Sequence, residues 1–400
     1  MESRKKILWL ASWYPNLLEP LNGDFIERHA QAASMDHDIY VIHVKKSSRI
    51  NHEEQTETEI RTYSEHCQSK IIYYKPRFTN IGWLEKLYSN YAYVKYSLRA
   101  AKSYIRERGK PHCVHVHIAL KAGLTALLLK FLYKLPYIVS EQWTGLLREA
   151  HPNIGNYPRS FRYLWNLVMQ NASACTAVSH WLGKAMQEKF AVRYSVIPNV
   201  VNLDIFQLNP YRSSRYRFIH ISTLNDQKNP GQILEAVAQL MKNTNTEFEF
   251  WVFGEAHSSL LQIAQDLGIS ERVEFKGTRL QPELAVQMRD CNCLILYSRY
   301  ETFGCVVIEA NACGLPVIVS DIPTMHELVR ENINGTFVPL DSPKKLAEKM
   351  KWMMDQPGHF NASDIRHITD ISFSYEAVSK QFDEVYRQLS KGGPSGDHRG

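Results

Sequence analysis

Residues 293–319 constrain the fold more than any other stretch of the chain. They read CLILYSRYETFGCVVIEANACGLPVIV. The apolar run 293–296 is expected to be a buried parallel strand. A polar loop carrying Glu301 follows, then Thr302-Phe303-Gly304. A helix comes next, with Val306, Val307 and Ala310 on its apolar face. Gly314-Leu315-Pro316 closes that helix, and residues 317–319 open the next strand. Strand, glycine-led helix and strand in this order make a βαβ unit. Glu301 and Glu309 are eight residues apart, but that spacing alone decides nothing, since six such pairs occur among the 27 glutamates. Their placement around one helix start is what separates this pair from the rest.

A helix N-terminus has unpaired N–H groups and a partial positive charge, so it suits a phosphate. Glycine at 304 lets a ligand approach the backbone closely. Glu309 is about one and a half turns further in, roughly 7 Å along the axis at 1.5 Å per residue. A carboxylate there is placed to accept hydrogen bonds from ribose hydroxyls. Glu301, in the loop, faces whatever lies beyond the phosphates. The pattern points to a nucleoside diphosphate carrying a cargo.

This segment resembles the signature of the retaining glycosyltransferases of family 4, with its Glu-x7-Glu motif and the run E-A-x-A-C-G-L-P-V-I. The resemblance continues elsewhere. Ile197-Pro198-Asn199-Val200-Val201-Asn202 with Phe206 is similar to the family's interdomain element. Residues 224–229, LNDQKN, are similar to the start of its second domain. Val252-Phe253-Gly254-Glu255 and Val273-Glu274-Phe275-Lys276-Gly277 fall where the family has its F-G-x-G and V-x-F-x-G strands. The implied fold is α/β of the GT-B type, two Rossmann-like domains facing each other across a cleft.

Composition agrees with such a chain. At 400 residues two domains of ordinary size are expected, and 44% hydrophobic with 22% charged residues is normal for a globular protein. No apolar run reaches the roughly 20 residues needed to cross a bilayer. The N-terminal RKKILWLA is too short in its apolar part for a signal peptide, and Trp13-Tyr14-Pro15 closes it, so it is read as the first strand and the chain as cytoplasmic. Seven irregularly spaced cysteines fit a reducing compartment, with Cys293, Cys305 and Cys313 as small core residues.

Apolar runs at 6–10, 39–44, 71–74, 113–117, 136–140, 174–177 and 194–197 are expected strands of the first domain. Those at 217–221, 248–253, 272–275, 293–296 and 316–319 belong to the second. The domains are expected as 1–205, an acceptor domain joined by a crossing helix at about 374–390, and 206–373, the nucleotide-sugar donor domain. Residues 391–400 read as a disordered tail. No G-x-G-x-x-G follows the first strand, which argues against a dehydrogenase.

The net charge of +6 conceals an asymmetry. Residues 70–134 hold 13 Lys and Arg against two Glu. A helix in this segment interleaves Trp83, Leu84, Leu87, Tyr88 and Tyr91 with Lys86, Lys95, Arg99 and Lys102. Such a helix suits an anionic membrane surface, which would make the protein peripheral on the inner face of the cell membrane; a solvated face packed by its tyrosines is the plainer reading. No nucleic-acid motif accompanies the charge, so no nucleic-acid partner is expected.

The resemblance assigns further residues. The loop Pro20-Leu21-Asn22-Gly23-Asp24-Phe25 would touch the donor phosphates through Gly23, with a plain turn and an Asp24 N-cap as the alternative. Lys228 would neutralise the leaving diphosphate, while Thr223 stands where the family has a second cation, an arginine. Gln142 stands where many members have a histidine near the transferred sugar; it can hydrogen-bond a hydroxyl but cannot titrate. Glu141 and Trp143 flank it. Asn199, Phe303 and Gly304 would line the donor, and Thr278 would hold the base through its main chain. Asp36-His37-Asp38 lies before a strand rather than after one and is dismissed as a metal motif. His115 and His117 are expected on opposite faces of their strand.

Taken together, the expectation is a retaining, metal-independent hexosyltransferase with Glu301, Lys228 and Gln142 as its catalytic residues. The donor would be a UDP- or GDP-sugar and the acceptor a saccharide or lipid-linked saccharide of bacterial surface-polysaccharide assembly. No cofactor is expected. A nucleotide-sugar epimerase of the same fold and a non-catalytic partner protein are the alternatives.

Overall fold

The computed structural model describes residues 4–50, 55–78, 80–209 and 215–390. The expected tail at 391–400 lies outside the described residues. The chain forms two compact units, 1–200 with 375–400, and 201–374.

The first unit is built on a sheet of β1 (Lys6–Ala11), β2 (Asp38–Lys46), β3 (Thr56–Ser64), β4 (Cys67–Tyr74), β5 (Cys113–His117), β6 (Tyr137–Glu141), β7 (Ala174–Ala177) and β8 (Ser195–Val196). Their order is β3-β4-β2-β1-β5-β6-β7-β8. All pairs are parallel except β3 with β4. The central strands are covered on both faces, which is why β1 reads as a near-continuous apolar run and β5 is buried at every position, its two histidines included. Strand β3 has no counterpart among the sequence expectations. Its residues alternate in exposure and carry Glu57, Glu59 and Arg61, charges that suit an edge strand.

Helices α1 (Asp24–Ala33), α2 (Gly82–Arg108), α3 (Ala119–Tyr133), α4 (Arg159–Gln170) and α5 (His180–Phe190) pack around this sheet. The second unit holds β9 (Tyr216–Ile221), α6 (Pro230–Asn243), β10 (Phe248–Phe253), α7 (Ser258–Asp266), β11 (Val273–Gly277), α8 (Gln281–Arg289), β12 (Cys293–Leu296), α9 (Cys305–Ala312), β13 (Val317–Ser320), β14 (Gly335–Val338), α10 (Pro343–Asp355) and α11 (Ala362–Phe373). Its sheet order is β11-β10-β9-β12-β13-β14, all parallel. The order reverses between β9 and β12. In open α/β sheets ligands bind outside the carboxyl ends of the strands at such a switch point.

Residues 201–205 belong with the second unit. The Val201 N–H donates to the Phe373 carbonyl at 3.0 Å, and Arg366 donates to the carbonyls of Leu203, Phe206 and Ala312 at 3.3, 2.5 and 2.7 Å. An arginine with five donors ties this connection to α9 and α11.

The last helix, α12 (Tyr375–Ser390), packs on the first unit through Val378, Phe382, Val385 and Tyr386. Trp9 Nε1 donates to the Tyr386 hydroxyl at 3.2 Å, and that hydroxyl bonds His115 Nδ1 at 2.7 Å. His115 Nε2 continues to Ser140 Oγ at 2.7 Å and Ser140 to Thr176 at 2.5 Å. This buried chain links α12 to four strands of the sheet. Asp36 and His37 serve the same packing, Ser379 Oγ donating to Asp36 at 2.7 Å and His37 lying 3.3 Å from Asp383, while His66 bonds Asp38 at 2.8 Å.

His115 and His117 share a face, contrary to expectation. Their rings lie 4.4 Å apart, and His117 stacks on Trp9 at 3.9 Å. Residues two apart on a strand point the same way, so opposite faces were never open to them. Both are fully buried, and burial pushes both imidazoles well below their ordinary pKa.

Candidate functional site

The loops after β9 and β12 meet at the switch point of the second sheet. Asn225 accepts from the Lys228 N–H and caps a short 3-10 turn that places Lys228. Gln227 fastens this loop to the neighbouring one, accepting from the Arg299 N–H at 2.8 Å and donating to the Tyr300 carbonyl at 2.9 Å. His220 pins the strands beneath, bonding the Ile295 carbonyl at 2.9 Å and Ser222 Oγ at 2.8 Å. Burial lowers its pKa to about 4, so it stays neutral.

On this frame Lys228 Nζ donates to Glu301 Oε1 at 2.5 Å, and Ser298 Oγ donates to the same oxygen at 2.7 Å. The Glu301 carbonyl accepts from Thr324 Oγ1 at 2.8 Å. Glu301 is 5% exposed and the Lys228 side chain 19%, so the pair is only partly wetted. Gly304 caps α9 with φ +100°, and a Cβ there would lie 2.9 Å from Met325 Cε. Backbone conformation and space both call for glycine at that helix start. Glu309 is buried on α9, with Gln281 Nε2 3.4 Å from its Oε1. Gln281 opens α8 just after Thr278, which is exposed at the end of β11. Glu301, Gly304, Glu309, Lys228 and the Thr278 loop therefore share the carboxyl edge of one sheet.

Phe303 and Thr223, two further expected donor residues, differ in exposure. The Phe303 ring is buried against Phe373, 5.8 Å away and edge-on. Thr223 is exposed and brings no charge. Arg299, a second cation in these loops, is engaged by Asp341 at 2.9 Å and Asn229 at 3.2 Å.

In the first unit, Gly23 rather than Asp24 caps α1, with φ +79°. A Cβ at Gly23 would lie 2.8 Å from the Trp13 and Tyr14 backbone, so packing already requires glycine. On α1, His29 Nε2 donates to the Pro198 carbonyl at 2.9 Å, next to buried Asn199. That bond fixes the tautomer and leaves Nδ1 to accept from Gln142 Nε2 at 3.4 Å. Burial lowers the His29 pKa to about 4. The Gln142 amide is thereby oriented, its nitrogen toward His29 and its oxygen away. Sequence reading did not reach His29, because nothing in an isolated helix residue announces a partner more than a hundred positions away.

Both residues flanking Gln142 pack within the first unit. Glu141 is fully buried and accepts from the Ala119 N–H at 2.8 Å; burial raises its pKa to about 7. Trp143 stacks on Trp165 at 5.0 Å.

Two family models between them match residues 27–366. The model described as Glycosyltransferase Family 4 covers residues 27–205, and the one described as Glycosyl transferases group 1 covers 204–366. The chain belongs to glycosyltransferase family 4. This glycosyltransferase is 24% identical over 319 residues to an uncharacterized glycosyltransferase of Methanocaldococcus jannaschii, covering 78% of this chain and 84% of the relative. Its fold is GT-B. It is similar to the sucrose-phosphate synthase of Thermosynechococcus elongatus with a TM-score of 0.75 at 16% identity, over 97% of this chain and all of that one. It is also similar to Anabaena HepE in complex with UDP-glucose, with a TM-score of 0.68 at 18% identity, over 97% of this chain and all of that one.

Proposed function

We propose that this glycosyltransferase is a retaining, metal-independent enzyme that moves a hexose from a nucleoside-diphosphate sugar to a saccharide or lipid-linked acceptor in surface-polysaccharide assembly. The observation that carries the reading is the Lys228–Glu301 pair beside the Gly304 helix start, with Glu309 further along the same helix. In this reading the α9 N-terminus and the Lys228 ammonium stabilise charge on the departing diphosphate, so no metal is needed for that step. Glu301 holds sugar hydroxyls, Glu309 the ribose, and Gln142 accepts from a hydroxyl through its outward oxygen. Retention follows front-face attack, the leaving phosphate taking the acceptor's proton. HepE binds UDP-glucose, which supports UDP among the candidate nucleotides.

Among the described residues no helix is long and apolar enough to cross a membrane. Peripheral attachment is part of the proposal and rests on α2. Its inner face buries Ala92, Tyr93, Tyr96, Ser97, Ala100 and Tyr104, whereas Trp83, Leu87 and Tyr91 stand 59–65% exposed. These three are four residues apart and so form one outward stripe.

The deciding experiment is a thermal-shift panel of UDP, GDP, ADP and CMP without added metal, on wild type and Glu309→Ala. One diphosphate should stabilise the wild type and lose effect in the variant. No shift with any nucleotide would favour a non-catalytic role, the reading that Thr223 and Gln142 would then support. Conversion of the sugar nucleotide without acceptor would instead point to an epimerase.

A further inference from the structure

The first unit contains a groove of about 1230 Å³ between the carboxyl ends of β1 and β2, the start of α2, the start of α3 and the approach to α4. None of the donor residues discussed above lines it. Four lysines do: Lys45, Lys46, Lys86 and Lys121. Only two carboxylates answer them. Glu19 pairs with Lys45 at 2.5 Å and Glu85 with Lys46 at 2.6 Å. Lys86 and Lys121 make no salt bridge among the described residues, and Lys121 feels Glu85, already paired with Lys46, only at longer range. Lys121 also sits in the first turn of α3, where a cation opposes the helix dipole. Burial and the nearby Lys46 and Lys45 hold its pKa below the ordinary lysine value. An anion in the groove would relieve both.

A second observation points the same way. His43, 2% exposed, lines the groove. Its Nδ1 donates to the Ala11 carbonyl at 2.9 Å, so Nε2 carries the lone pair, and Nε2 is buried with no partner among the described residues. Burial keeps the ring neutral, its pKa lowered to about 4. A buried acceptor of this kind calls for a donor, and a ligand hydroxyl supplies one.

The groove is also continuous with a smaller apolar pocket of about 170 Å³ lined by Leu124, Phe161, Leu164, Trp165 and Val168; Leu120, Lys121 and Phe161 border both. Its mouth carries Trp83 and Leu87, two of the three exposed members of the α2 stripe. Cationic groove, apolar extension and apolar rim together match a molecule with an anionic head and a hydrocarbon chain.

We propose that this groove is the acceptor site and that the acceptor is a sugar carried on a lipid phosphate or diphosphate. Lys121 and Lys86 take the phosphate, His43 a sugar hydroxyl, and the pocket under Phe161 the first part of the chain. The inference rests on the sugar-transfer reading above, and narrows its acceptor to a phosphorylated amphiphile.

The test is calorimetric titration of the full chain with farnesyl diphosphate, inorganic pyrophosphate and farnesol, alongside the UDP thermal shift. Farnesyl diphosphate is expected to bind at least tenfold more tightly than either of its halves. Lys121→Glu and Phe161→Asp should each weaken it at least tenfold while the UDP shift stays as in wild type. Affinity no better than that of pyrophosphate or of farnesol would overturn the proposal, as would indifference to either substitution. Binding of farnesyl diphosphate without any UDP shift would keep the groove and overturn the donor reading instead.

Discussion

Lys228 Nζ lies 2.5 Å from Glu301 Oε1, so the cation expected to meet a diphosphate is neutralised by the carboxylate expected to meet the sugar. A donor that binds must part them, with the diphosphate replacing Glu301 at the ammonium and the sugar hydroxyls replacing Lys228 at the carboxylate. This exchange makes the two residues separable by experiment. Lys228→Ala should weaken nucleoside-diphosphate binding and lower kcat/KM by about 10²- to 10³-fold, the range seen when one charge-stabilising donor is removed. Glu301→Gln should bind the free diphosphate at least as tightly as wild type, because Lys228 no longer has a competing anion, yet transfer sugar poorly. Titration with the nucleotide and a transfer assay read the two effects; weaker diphosphate binding in Glu301→Gln would contradict the exchange.

Gly304 is subject to two separate demands, a left-handed backbone and a close Met325 methyl. Gly304→Ala should cost about 1–3 kcal/mol for the strained conformation alone. Adding Met325→Ala removes the steric contact but not the backbone strain. The double variant should therefore remain less stable than Met325→Ala by a similar amount in urea denaturation. Full recovery would mean that space, not conformation, selects glycine there.

Much of the second unit was legible because several of its strands are short apolar runs bounded by glycine or proline, as at Gly254, Gly277 and Pro316. Residues 293–319 read correctly as strand, helix and strand since burial on both faces leaves no polar interruptions. The first unit hid more. β3 is polar and half exposed, so no apolar run announces it, and β4 begins at Cys67 because both β2 and β3 pair along the polar residues Gln68, Ser69 and Lys70. β14 is four residues long. Glu301, Gly304 and Lys228 were accessible from motif and context, whereas the contact between Lys228 and Glu301 depends on two loops 73 residues apart. His29 and His43 were out of reach for the same reason, their partners being backbone carbonyls distant in sequence.

Glu141 gives a pH test. Burial raises its pKa to about 7 from an ordinary 4.5, so between these values the folded chain binds more protons than the unfolded one. Stability from this group is full below pH 4.5 and is lost as pH rises to 7. The shift corresponds to on the order of 3 kcal/mol. Glu141→Gln retains an oxygen for the Ala119 N–H but has no charge to bury. It should match wild type near pH 4.5 and exceed it by roughly 2–3 kcal/mol at pH 8. A stability difference that does not change with pH would show that the carboxyl is not titrating as its burial requires.

The outward stripe on α2 makes the membrane proposal measurable. Trp83, Leu87 and Tyr91 offer apolar area to an interface, and Lys95 sits 5.6 Å from the Tyr91 ring centre, keeping a cation beside that stripe. Insertion of two large side chains is worth about 1.5–3 kcal/mol each when fully buried. Partial insertion would still make Trp83→Ala with Leu87→Ala at least tenfold weaker in vesicle co-sedimentation, since 1.4 kcal/mol is a factor of ten. The lysines act over a Debye length of about 8 Å at physiological salt. Lys86→Glu with Lys95→Glu should therefore abolish the preference for anionic over neutral vesicles, and raised salt should reduce it. Equal binding to neutral and anionic vesicles by the wild type would remove the electrostatic half of the argument; no loss in the Trp83–Leu87 variant would remove the apolar half.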